Sequence, residues 1–181
     1  MLDLETMSIA DDAAITEIAA VEFDPTTGKL GREFHIGVDL QSCIDAGLSI
    51  SASTIIDFWL QQSQEARESL KVSQDGAFSL REALIEFEIW LGTDKFVWGN
   101  GSLSDNLWMK NAYKAAGLEC PIEFWAHMDV RTAVNMGRTI TGKDFKQDLE
   151  FDGVPHNPLD DCKFQIRYVH EYYKTLLCKV P

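Results

Sequence analysis

The order of elements predicts an α/β or α+β domain, a mixed sheet with helices packed on it. Three observations carry this. Two strand-like segments near the start are joined by a tight turn, apolar residues recur at helical spacing in several later segments, and short apolar strands alternate with those helices. No internal repeat, low-complexity tract or Pro/Ser-rich linker divides the chain, so residues 1–181 are read as a single domain.

A short first strand ends in Asp3-Leu4-Glu5. Residues 15–23 (ITEIAAVEF) read as a strand, and Asp24-Pro25-Thr26-Thr27-Gly28-Lys29 as the turn into a second one over residues 32–38. There Arg32 and Glu33 are interleaved with Phe34 and Ile36. Three mainly helical segments follow: residues 53–62 introduced by Ser53, a short polar one over 64–70, and residues 79–91 introduced by Ser79. In the last of these Leu80, Ala83, Leu84, Phe87 and Leu91 share a face, which is therefore buried. Lys95 to Trp98 is a compact apolar strand closed by Gly99-Asn100-Gly101, and a helix from about Ser104 to Ala116 stops at Gly117. Glu123 to Val130 reads as a strand running into a short helix. The final helix, Pro158 to about Leu177, carries Leu159, Cys162, Ile166, Val169, Tyr173 and Leu176 on one stripe.

A hydrophobic fraction of 45% and a charged fraction of 25% are the balance of a soluble globular chain. The net charge of −13 argues against unaided, sequence-blind binding of nucleic acid, which depends on Lys and Arg neutralising phosphates. A polyanion could bind such a surface once cations fill an acidic pocket. Cys43, Cys120, Cys162 and Cys178 form no CxxC pair, so buried, reduced thiols are expected rather than a zinc site or disulfides. The first residues carry no basic and apolar leader and no stretch could span a bilayer, so a cytoplasmic protein without membrane contact is expected.

Two acidic motifs carry chemistry. In a strand, residues two apart share a face, so Asp3 and Glu5 project together while Leu4 packs on the other side. Taken alone the pair also fits a solvent-facing strand end. In His156-Asn157-Pro158-Leu159-Asp160-Asp161, Asn is a preferred N-cap and Pro prefers the first helical position. That register puts Asp160 at N3, His156 at N′ and Asp161 at N4, and the last two positions approach each other in space. An imidazole beside a carboxylate suits a general base next to a metal ligand. It also fits a loop histidine with a first-turn acid favoured by the helix dipole.

The motifs together resemble the DEDDh family of 3′→5′ exonucleases: Asp-x-Glu-Thr at residues 3–6, an Asp at the start of a mid-chain helix, and His-x-x-x-x-Asp at residues 156–161. The segments Ile56-Asp57-Phe58-Trp59 and Trp98-Gly99-Asn100-Gly101 are similar to its phage and prophage branch and to bacterial exoribonuclease relatives. The resemblance implies a ribonuclease H-like fold, a mixed five-stranded sheet flanked by helices. It implies that Asp3, Glu5, Asp105 and Asp161 hold two divalent cations and that His156 deprotonates the attacking water. Thr6 and Met7 would meet the 3′-terminal nucleotide, and Trp59 would either stack on a base or belong to the core. Hard oxygen ligands select Mg²⁺ or Mn²⁺. Two such ions about 4 Å apart can activate water on one side of a phosphate and stabilise the departing 3′-oxygen on the other. Asp94 is the poorer candidate for the third acid because it precedes the strand. Trp90, Trp98 and Trp108 are assigned to the core, and His35, His127 and His170 have no ligand-like spacing.

The expected activity is hydrolysis of nucleic-acid 3′ ends, single-stranded DNA or RNA, to nucleoside 5′-monophosphates, by a monomer or a homodimer. Two alternatives stay open: a non-cutting member of the fold that binds nucleic acid or protein, and a two-metal hydrolase of small phosphate esters or dinucleotides.

Overall fold

Alternation along the first strand decides what each face of the sheet becomes. In β1 (Leu2–Thr6) Leu2 and Leu4 point one way, Asp3 and Glu5 the other. The computed structural model describes residues 1–93 and 95–178, so Asp94 lies outside it. β1 pairs antiparallel with β2 (Ile15–Phe23), and β2 with β3 (Leu30–Gly37). The register sets Leu2 against Ala20, Leu4 against Ile18, Asp3 against Ala19 and Glu5 against Glu17.

The leucine face forms one core with α1 (Leu40–Asp45), α3 (Leu80–Leu91) and α4 (Asp105–Ala115), through Cys43, Leu84, Phe87, Met109 and Tyr113. The opposite face, with Ala19 and Val21, forms a second core with α5 (Val130–Thr141) and α7 (Pro158–Leu177), through Val134, Cys162, Ile166, Val169 and Tyr172. The acidic pair thus sits on a covered face that it shares with Ala19, Val21 and a third buried acid, Glu17. Helix starts follow the side chains that satisfy first-turn N–H groups. Ser63 caps α2 (Gln64–Gln74), Ser79 and Glu82 form a capping box on α3, Asp129 caps α5 and Asn157 caps α7.

The remaining strands, β4 (Val97–Gly99) and β5 (His127–Asp129), form a parallel pair. The Nδ2 group of Asn106 ties them by donating to Val97 O and Met128 O, each at 3.2 Å. Where five strands in one sheet were expected, the described residues show three antiparallel strands and a separate pair. Two features account for this. β4 and β5 are three residues each, and the Leu4 N–H on the outer edge of β1 is taken by the carboxylate of Asp105 at 3.2 Å rather than by a carbonyl of a neighbouring strand.

Other departures have local causes. Residues 53–62 are not one α-helix but a π-helical turn, Thr54–Phe58, followed by a 3-10 turn, Trp59–Gln61. The Trp59 indole N–H is bonded to Thr6 O at 2.9 Å, which anchors this turn against the end of β1. α5 is twelve residues long because Gly137 lets it settle on α7; a Cβ there would come within 2.0 Å of the Tyr172 ring. α1 and α6 (Phe145–Asp148) are too short for a periodic signal. Trp98 is buried as expected, but Trp90 and Trp108 are only half-buried; Arg32 lies over the Trp90 ring, and the Trp108 indole donates to Ala10 O. All four cysteines are free, although Cys178 is exposed rather than buried. Among the described residues no helix is long and apolar enough to cross a membrane.

Candidate active site

Four carboxylates reach one place from three elements. Asp3 and Glu5 come from β1, Asp105 opens α4, and Asp161 lies in the first turn of α7. Asp105, 3% exposed, accepts the Leu4 N–H on Oδ1 and the Asn100 N–H on Oδ2 at 2.6 Å. The turn that delivers Asn100 needs a glycine next: Gly101 has φ 138°, and a Cβ there would meet Ser104 Oγ at 2.6 Å.

At α7 the structure has Pro158 in the first turn, and the Asn157 side chain accepts the N–H groups of Leu159 and Asp160. His156 and Asp161 meet through the backbone: Asp161 Oδ2 accepts the His156 N–H at 2.9 Å. This bond helps hold His156 at φ 65°, a left-handed conformation that a side chain rarely adopts. The imidazole packs edge-on against Phe58, with ring centroids 4.9 Å apart, and beside Trp59 at 6.4 Å. Asp160 is diverted into the preceding loop, accepting the Val154 N–H at 2.9 Å. As a result Glu5, His156 and Asp161 offer ligating atoms that all lie within 4.8 Å of one another.

Burial dominates the electrostatics. It pushes Asp3 well above the usual carboxylate range, Asp105 and Asp161 push further, and the Gln165 N–H opposes them. Glu5 is raised by burial and then by Asp3 and Asp161. Asp105 is raised to about 6, burial outweighing the Asn100 and Leu4 N–H groups and the Arg131 charge. Asp161 is also raised to about 6 by burial, against the His156 N–H and Lys146. Burial lowers His156, which favours the neutral imidazole. No ion pair to these four acids is present among the described residues. Converging carboxylates with an imidazole and no thiolate are a donor set suited to hard divalent cations such as Mg²⁺ or Mn²⁺.

Thr6, Met7 and Trp59 are all buried; Thr6 follows Glu5 at the end of β1, and the Trp59 ring lies 6.4 Å from that of His156. The Thr6 hydroxyl donates to Ser8 O at 2.8 Å, and the Met7 backbone is bonded to Ala14 O and to the Ser51 N–H.

Three participants escape a reading of motifs. Gln165 donates Nε2–H to Asp3 Oδ1 at 2.7 Å, while its Oε1 is buried without a partner among the described residues. Its signal is a lone polar residue on the buried stripe of α7, one turn after Asp161. Phe58, beside the imidazole, stands inside the segment Ile56-Asp57-Phe58-Trp59, which by itself gives it no role. Glu17 is fully buried opposite Glu5, 2.7 Å from His35 Nε2; it looks in sequence like any acid in an alternating strand.

Comparison with known proteins gives two matches. A family model described as the 3′-5′ exoribonuclease Rv2179c-like domain matches residues 1–173. The chain is also 24% identical over 205 aligned residues to the exodeoxyribonuclease of Enterobacteria phage T4, covering 93% of this chain and 88% of that protein.

Proposed function

The chain belongs to the 3′-5′ exoribonuclease Rv2179c-like domain family, and from that membership we propose that it is a metal-dependent 3′→5′ exonuclease of the DEDDh type on a ribonuclease H-like fold. Its substrate is a single-stranded nucleic-acid end and its products are nucleoside 5′-monophosphates. The observation that carries this reading is a buried group of carboxylates with no ion-pair partner among the described residues. Such a group is costly unless cations offset it.

Asp3, Glu5, Asp105 and Asp161 are the ligands of two Mg²⁺ or Mn²⁺ ions. When bound, those ions supply Lewis-acid polarisation of the scissile phosphate and a lower pKa for the attacking water. His156, neutral at pH 7 and fixed through its own N–H, takes the proton as the water oxygen bonds to phosphorus. The bond from phosphorus to the 3′-oxygen of the preceding nucleotide breaks, and that oxygen is protonated from solvent. Asn100 and the Leu4 backbone hold both oxygens of Asp105, and Gln165 holds Asp3. Phe58 limits rotation of the imidazole. Thr6, Met7 and Trp59 form the surface against which the terminal nucleotide is set.

The sugar is decided by experiment, since the family description names RNA and the phage relative is a deoxyribonuclease. Single-stranded DNA and RNA 20-mers labelled at the 5′ end are incubated with and without Mn²⁺, beside Asp3→Ala and His156→Ala. A descending ladder that needs Mn²⁺ and is lost in both variants is the expected result. The absence of a ladder from either polymer, in folded protein supplied with Mn²⁺, would overturn the proposal.

A further inference from the structure

On a chain of net charge −13, one stretch beside the acidic cluster runs against the trend. α5, the turn after it and α6 carry Arg131, Arg138, Lys143 and Lys146. Two of the acids there are occupied, while Asp148 at the end of α6 is exposed and forms no ion pair among the described residues. Asp129 accepts the N–H groups of Arg131 and Thr132 as the helix cap, and Asp144 pairs with Arg138 at 2.6 Å. Arg131, Arg138 and Lys146 line one depression of about 240 Å³ with Asn100, Asn135 and Tyr168. A second depression of about 310 Å³ shares Arg131 and Asn135 and continues toward Gly101 and Ser104. Together they make a track along α5.

Three features aim this track at a polyanion leading into the acids. First, its floor is joined to the site: Asn100, which lines it, donates to Asp105, and Tyr168 lies two turns along α7 from Asp161. Second, Arg131 and Lys146 are exposed and form no ion pair among the described residues, so both charges are available. Third, the depression carries a further guanidinium, that of Arg138, whose charge is shared with Asp144. A guanidinium and an ammonium with polar amides between them are the usual partners of phosphodiester oxygens.

We propose that the track along α5 binds the phosphodiester backbone on the 5′ side of the scissile phosphate, with Arg131 and Lys146 as its principal contacts. This inference rests on the nuclease reading above and deepens it: the preferred substrate is a single strand several nucleotides long, not a small phosphate ester or a dinucleotide.

Binding of 5′-fluorescein single-stranded DNA and RNA 12-mers is followed by anisotropy in Ca²⁺ over a salt series, for wild type and the double variant Arg131→Gln/Lys146→Gln. Each phosphate neutralised on a single strand contributes about 0.7 to the slope of log affinity against log salt. The double variant should therefore lose roughly 1.4 from that slope and bind about tenfold more weakly at low salt. Lys114→Gln, an equal charge change near the far end of α4, should keep the wild-type values. Equal slopes and affinities in the double variant and wild type would overturn the inference. Turnover is read in parallel in Mn²⁺. A wild type that binds with the Arg131- and Lys146-dependent slope yet releases no mononucleotide keeps the track and overturns the nuclease; mononucleotide release with a slope indifferent to both residues does the reverse.

Discussion

Gln165 shows how a side chain outside any motif can control one inside it. Among the described residues its Nε2–H is the one side-chain donor on Asp3 and its own carbonyl oxygen has no partner. Gln165→Leu removes the donor but keeps the volume, and it also removes the orphaned oxygen. The fold should change little, while the Mn²⁺ concentration needed for half-maximal activity rises about 10–100-fold, as for other supports of metal ligands. An Mn²⁺ titration of activity beside a thermal melt separates the two effects. The acids at 3, 5 and 161 and the imidazole at 156 are readable in sequence because strand alternation and helix register assign their directions. Gln165 and Glu17 are not, because burying a polar residue beside a site depends on tertiary packing that spacing does not encode.

At the scale of elements, α7 is the clearest case of local chemistry deciding site geometry. Asn157 caps the helix through its side chain, and the residues on either side of that start are His156 and Asp161. Asn157→Ala should cost about 1 kcal/mol of stability. For a domain of this size that lowers the Tm by roughly 2–4 °C. Because the loss frays the turn that fixes His156, activity should fall by more than the stability change accounts for, which a melt and a rate measured at 20 °C together test. Long, periodic helices such as α3, α4 and α7, the first and last of them capped by side chains, are legible from sequence within a few residues. The π-helical turn at Thr54–Phe58 and the short α1 and α6 are not, since each is shaped by a contact to a distant strand or helix rather than by its own pattern. The order of the five strands also exceeds the sequence signal, because three-residue strands carry almost no periodicity.

For the whole molecule, the acidic cluster ties stability to pH and to cations. A carboxyl whose pKa is higher folded than unfolded binds its proton more tightly in the native state. Protonation therefore stabilises the metal-free fold, and that stability is lost as pH rises from about 4 through 6, where Asp105 and Asp161 titrate. In EDTA the Tm should be higher near pH 5 than at pH 7.5, by roughly 5 °C or more. Added Mn²⁺ should raise it more at pH 7.5 than at pH 5, because protons and cations compete for the same oxygens. Equal melting at both pH values in EDTA would mean that burial does not raise these carboxyls in the native state. The bond from the Leu4 N–H to the Asp105 carboxylate has a consequence for biosynthesis. It closes the seam between the first strand and α4, while Asp161 arrives only with the last helix. A chain still emerging from the ribosome holds Asp3, Glu5 and Asp105 before Asp161 has been made, so the four-carboxylate group is assembled only when α7 docks.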